Sequence, residues 1–146
     1  QTLELVNLKG KLSYLISTSK YGPGELKNSF CTPRGKHIIR AKIGTGQELG
    51  TIFKNRRPSG EIFSASKHRL EEGDWILTRI LWLSGIEKGR NRLGNVDTMQ
   101  RFIYIHGTPE ETILGVPVSK GCINMRNEDV IQVFDLVAVG TMVYIE

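Results

Sequence analysis

The chain has 146 residues, 39% of them hydrophobic and 24% charged, with a net charge of +5 and a pI near 9.4. This is the composition of an ordinary globular protein, long enough to bury its own core, and it predicts one domain over residues 1–146. Two cysteines are too few for a disulfide framework, and no stretch reaches the ~18 apolar residues of a membrane span.

In chain order, Leu3-Glu4-Leu5 alternates, Lys9-Gly10 punctuates, and Leu12 to Ile16 resumes the apolar pattern, which predicts a β-hairpin. No basic-then-apolar signal segment opens the chain at Gln1. Residues 18–35 are rich in Ser, Gly, Pro and Asn and predict a long loop ending in Thr32-Pro33-Arg34-Gly35. A strand is expected over Lys36–Ile43, with His37, Ile39, Ala41 and Ile43 on one face. Residues 44–60 carry Gly44, Gly46, Gly50, Pro58 and Gly60 and read as a second loop. Further strands are expected at Glu61–Ala65, Trp75–Leu83 and Arg101–His106. One helix is clear: Asn127 as N-cap, Glu128 and Asp129 where the helix dipole favours acids, and Val130, Ile131, Val133, Phe134 and Val137 as its apolar face. Gly140 stops it, and a last strand runs to Glu146. The predicted fold is therefore mostly β, a β-sandwich or partly closed barrel of short strands with one principal helix.

The basic positive charge favours an anionic partner. The basic clusters Arg56-Arg57 and Lys88 to Arg92 lie in Gly-rich segments without interleaved aromatics, so they read as solvated or wall-binding surface and not as a nucleic-acid site. Gly44 to Gly50 lacks the spacing of a dinucleotide loop. His37, His68, His106, Cys31 and Cys122 show no paired-ligand spacing, so no metal and no cofactor is expected.

The chemistry concentrates in Ile105-His106-Gly107-Thr108 and Ser119-Lys120-Gly121-Cys122-Ile123-Asn124-Met125. A nucleophilic cysteine needs a base, oxyanion donors and a backbone that leaves sulfur exposed. His106 ends an apolar strand and suits a rigidly held base. Cys122 follows Gly121, whose bare backbone leaves room for approach, and the Gly121 and Cys122 N–H groups can aim at one point. Lys120 neighbours the cysteine in sequence, and two readings stand side by side: its charge helps hold a thiolate, or it points to solvent and does nothing.

These residues closely resemble the YkuD-type L,D-transpeptidase family, whose signature is His-Gly-Thr, a spacer, then Ser-x-Gly-Cys, a hydrophobic residue and Asn or Arg. Twelve residues separate His106 from Ser119. The Thr32-Pro33-Arg34-Gly35 turn, Asn127-Glu128-Asp129 at the helix start and Gly140-Thr141-Met142-Val143 resemble further family marks, so the likeness spans residues 30–146. Lys120 stands where many members have His, and Asn124 where many have Arg.

The resemblance implies an L,D-transpeptidase fold and acyl transfer on peptidoglycan tetrapeptide stems. It implies a Cys122 thioester formed with release of D-alanine, and an amine acceptor giving a 3→3 cross-link or anchoring a lipoprotein. Water as acceptor would make a carboxypeptidase, and loss of turnover a wall-binding module. It also implies His106 as base, oriented by the Gly107 carbonyl, and Gly121 and Cys122 as oxyanion donors. Ser119, Lys120, Asn124, Arg126, Tyr104 and Thr108 would contact substrate, Arg126 being favoured by charge for a stem carboxylate. Finally, it implies a bacterial cell-envelope location, in periplasm or cell wall, with the signal segment not present in this chain.

Overall fold

The computed structural model describes residues 1–146. Strand β1 (Thr2–Asn7) pairs antiparallel with β2 (Gly10–Ser17) from Thr2↔Leu15 to Asn7↔Gly10. The turn between them is closed by Asn7, whose side-chain oxygen accepts the Lys9 N–H at 2.8 Å. A loop then leads to β3 (Gly35–Ile43). Strands β4 (Thr51–Lys54), β5 (Arg57–Ile62), β6 (Ile76–Gly85), β7 (Tyr104–Gly107) and β8 (Ile123–Met125) follow, then helix α1 (Asn127–Leu136) and β9 (Met142–Ile145). The main sheet runs β1-β2-β8-β7-β6-β3-β9, with β4 paired to β6 and β5 to β4. It is a curled half-barrel, mostly strand with one α-helix.

Strand alternation divides the molecule into two faces. Ile39, Leu81, Leu83, Ile105, Ile123 and Met125 point to one side and pack with Tyr14, Ile16 and the α1 residues Val130, Val133 and Phe134 in the main core. Each such buried aliphatic side chain contributes about 1.5–3 kcal/mol. The opposite face carries a smaller cluster of Phe53, Ile80 and Tyr104, against which Trp82 and Cys122 pack. The helix covers one face of the sheet and leaves the second uncovered by it.

The expected hairpin, the strand before residue 44, the long apolar strand and the helix are present. Four expectations need correction. Residues 44–60 contain β4 and the start of β5, not an uninterrupted loop. Their two-residue turn, Asn55-Arg56, has φ of 49° and 63°, the primed geometry that matches strand twist but lacks its usual glycine. The next strand ends at Ile62, and residues 63–75 are a loop with one 3-10 turn. Ile123–Met125 is a strand, and β7 begins at Tyr104 because Phe102 turns the chain at φ 56°. Lastly, Arg126 is the N-cap and provides no side-chain cap, while Asn127 is inside the helix with its side chain buried.

Candidate active site

Strands β7 and β8 run parallel, joined by a crossover over residues 108–122, with Ile105 opposite Ile123 and His106 opposite Asn124. The period of two that sends Ile105, Ile123 and Met125 into the main core turns Tyr104, His106, Cys122 and Asn124 to the other face. All four line one cavity of about 480 Å³. Thr108, Ser119 and Lys120 lie on its wall, whereas Arg126 lies beyond the end of β8, exposed and outside the cavity.

The turn carrying Cys122 is held from within. Ser119 Oγ donates to the Cys122 carbonyl at 2.6 Å and accepts the Gly121 N–H at 3.2 Å. Gly121 sits at φ 124°, a left-handed backbone that favours glycine, and an added Cβ would press on Ile103 Cδ1 at 3.1 Å. Thr32 supports the turn from outside, donating to the Gly121 carbonyl at 2.9 Å. With the Gly121 amide engaged by Ser119, the Cys122 N–H is the donor without an acceptor in the protein. The sulfur accepts the Tyr104 N–H at 3.3 Å and faces the Phe102 carbonyl at 3.4 Å.

His106 is buried at the end of β7, and its Nδ1 lies 2.8 Å from the Gly107 carbonyl. A carbonyl only accepts, so Nδ1 carries the proton and Nε2 is the bare, basic nitrogen. Gly107 is needed for space: a Cβ there would collide with Asn127 Oδ1 and lie 2.8 Å from the Leu77 carbonyl. Asn127 ties this corner together, donating from Nδ2 to the Thr108 carbonyl and to Glu111, both at 2.8 Å. Its Oδ1 accepts from Thr78 Oγ1 at 2.5 Å. Thr78 adopts φ 75°, a strained backbone for a β-branched residue, at the bulge where β6 passes β7. Asn127→Ala orphans several buried groups at once and is expected to cost about 3 kcal/mol in chemical denaturation. A loss below about 1 kcal/mol would show that the network is not structural.

Burial governs the electrostatics. It pushes the Cys122 thiol up to about 12, reinforced by Asp74 and only partly offset by the Tyr104 N–H and Arg101. Burial likewise holds His106 below the usual imidazole range, against the opposing effects of the Gly107 carbonyl and Asp74. At neutral pH the free site therefore pairs a neutral thiol with a neutral imidazole. Of the two readings of Lys120, support of a thiolate finds no observation in its favour: the ammonium turns to Asp74 at 3.7 Å, and Lys120 is not among the groups that shift the Cys122 thiol. Asn124 lines the same cavity, and its Oδ1 is buried without a hydrogen-bond partner.

Sequence reading missed Thr32, Asn127 and Arg56 as parts of this site. The Thr-Pro and Asn-Glu-Asp motifs marked the first two, though as turn and helix signals. Arg56 had no local signal beyond its charge.

A family model for the L,D-transpeptidase catalytic domain, YkuD, matches residues 1–145. The chain is 51% identical over 97 residues to a putative L,D-transpeptidase, YkuD, of Bacillus subtilis, covering 66% of this chain and 49% of that protein. It is 49% identical over 45 residues to a probable L,D-transpeptidase, ErfK/SrfK, of Escherichia coli, covering 31% of this chain and 14% of that protein. The chain thus spans half or less of these two relatives. Among solved structures, an L,D-transpeptidase from Mycobacterium smegmatis superposes with a TM-score of 0.55 at 20% identity, over 99% of this chain and 54% of that one. That likeness speaks for the fold.

Proposed function

The chain belongs to the YkuD family of L,D-transpeptidase catalytic domains, and on that footing we propose that residues 1–146 are one catalytic domain transferring an acyl group from peptidoglycan tetrapeptide stems through a Cys122 thioester. The observation that carries this reading is that Cys122, immediately before β8, and His106, on the parallel neighbour β7, line one cavity, with His106 Nε2 left basic.

In this mechanism the Cys122 thiol gives its proton to His106 Nε2 as sulfur attacks the carbonyl carbon of the L-to-D peptide bond. Neutral partners suit a step in which charge develops only as the bond forms. The oxyanion is received by the Cys122 N–H, with Gly121 as second donor once its amide leaves Ser119; one such donor is worth ~3–4 kcal/mol. Collapse breaks the C–N bond, His106 returns the proton to the leaving amine, and D-alanine departs. An acceptor amine then attacks the thioester, His106 takes its proton, and sulfur leaves to recover it. Asn124, Tyr104, Thr108, Ser119 and Lys120 shape the channel that receives the substrate. A diaminopimelate amine on a second stem yields a 3→3 cross-link, a lipoprotein amine yields anchoring, and water yields hydrolysis. A cell-envelope location follows from the same reading.

Incubation with a purified disaccharide-tetrapeptide, read by mass spectrometry, tests it. Expected are release of D-alanine and a cross-linked dimer, with little reaction of the pentapeptide. Absence of both D-alanine release and any acyl-enzyme would overturn the assignment, and hydrolysis without dimer would select the carboxypeptidase.

A further inference from the structure

Three cations line the cavity, Arg56, Arg101 and Lys120, and their engagement differs. Arg101 is committed to the chain beneath the nucleophile, donating to the carbonyls of Gly24, Glu25 and Cys31. Lys120 faces Asp74. Arg56 makes no ion pair. It donates one hydrogen bond, from Nη1 to Tyr104 Oη at 3.1 Å, and its guanidinium lies over the rings of Phe102 at 4.8 Å and Trp82 at 5.2 Å. A guanidinium has five N–H donors. Those left over stand in the cavity, oriented by three aromatic side chains, with no anion of the protein to receive them.

The backbone beneath it is unusual in the same direction. Arg56 occupies a left-handed position at the tip of the β4–β5 hairpin, where a glycine would be relaxed. Strain of this kind at the mouth of a site points to a role for the side chain.

We propose that Arg56 is a carboxylate-binding subsite that reads the acid at the far end of the side chain of the residue forming the thioester. The position selects this acid over the α-carboxylate of the leaving residue. Tyr104 gives its N–H to the Cys122 sulfur at 3.3 Å and its phenol oxygen to Arg56, so the guanidinium stands about one tyrosine side chain away from sulfur. A leaving residue carries its carboxylate within a few bonds of the attacked carbon and falls short. A long side chain ending in a carboxylate spans the gap, its methylenes lying along Phe102, which lines the cavity. The donor is then a stem whose acylating residue is a diamino diacid with its distal carboxyl free. Replacing that carboxyl by a carboxamide, or the residue by lysine, removes the group that Arg56 receives. The inference rests on the transpeptidase reading for the identity of the donor.

Binding, measured by calorimetry on the Cys122→Ala protein, separates the two ideas because no turnover is needed. Tetrapeptides ending in D-alanine, with the distal carboxyl of diaminopimelate free or amidated, are the probes. The free acid is expected to bind at least ~10-fold more tightly, the usual scale for charge-assisted pairing. Adding Arg56→Gln should bring the two ligands within about 2-fold by weakening the acid alone, and Arg56→Lys should keep part of the preference. Equal binding of acid and amide before any Arg56 change overturns the proposal, whether or not the variants fold. So does an Arg56→Gln variant that melts normally and retains the preference. Acid preference lost with Arg56, alongside no D-alanine release by the unaltered protein, would keep the subsite and reject the transpeptidase.

Discussion

Cys122→Ala is expected to abolish acyl-enzyme formation, lowering turnover by more than about 10⁴-fold, while leaving the fold intact. The side chain lies at the cavity floor and packs on the smaller cluster, outside the main core. Removing it forfeits a sulfur contact with the Tyr104 N–H and little buried volume, so the stability cost should stay near ~1 kcal/mol. Intact-mass analysis after exposure to a tetrapeptide or a carbapenem should show one adduct on the unaltered protein and none on the variant, at equal melting temperature. An adduct that persists in the variant and disappears in Cys31→Ser would transfer the role to Cys31. The same burial predicts how the free thiol meets simple reagents. Only the thiolate reacts, and with the thiol pushed up to about 12 the alkylation rate should climb through pH 9 and 10 without a plateau. A plateau below pH 8 would mean that the site stores a preformed thiolate.

His106→Gln is expected to slow acylation by ~10²–10⁴-fold, the usual scale for a positioned general base. Its pH dependence carries more information than the magnitude. The base must be neutral, and burial holds the folded imidazole below its ordinary value of about 6.5. The acylation rate should therefore be level through neutral pH and fall only on the acid side of that value. Removing the imidazole should remove this limb, and a limb unchanged in His106→Gln would place the base elsewhere. Stability follows the same sign. His37 is also buried and held below the ordinary range, its ring nitrogens engaged with the Gly35 carbonyl and Thr98. Both histidines bind protons more readily unfolded than folded. Their contribution to stability is present above pH ~6.5 and is lost as pH falls toward the depressed folded values. Denaturant midpoints that rose between pH 6.5 and 5 would contradict this.

Much of the site was legible in the sequence because its spacing is local. His106-Gly107-Thr108 and Ser119 to Asn124 are short motifs, and strand alternation alone assigns Tyr104, His106, Cys122 and Asn124 to one face if both segments are strands. The first hairpin and α1 were equally readable, because their apolar periods of two and 3.6 are expressed within a dozen residues. The β4–β5 hairpin was not, because its turn uses Asn55-Arg56 in place of a glycine dipeptide, and the surrounding glycines and proline imitate a loop.

Tertiary structure decided what depends on register between distant segments. The parallel pairing of β7 and β8 sets His106 beside Asn124 and Tyr104 beside Cys122, and no local signal distinguishes it from a hairpin. Thr32 reaches Gly121 across 89 residues and Asn127 meets Thr78 across 49, so a turn motif and a helix-start motif become supports for the Cys122 turn and the His106 corner. The protonation states rest on how much protein surrounds each group, a quantity that sequence neighbours do not carry. Charge pairing was the least readable of all. Arg126, two residues beyond Asn124, stays outside the cavity, whereas Arg56, more than sixty residues upstream of Cys122, is brought into it by the hairpin. Along the sequence a charge has neighbours fixed by covalent spacing, while in the folded protein its neighbours are set by which strands pair and in what register.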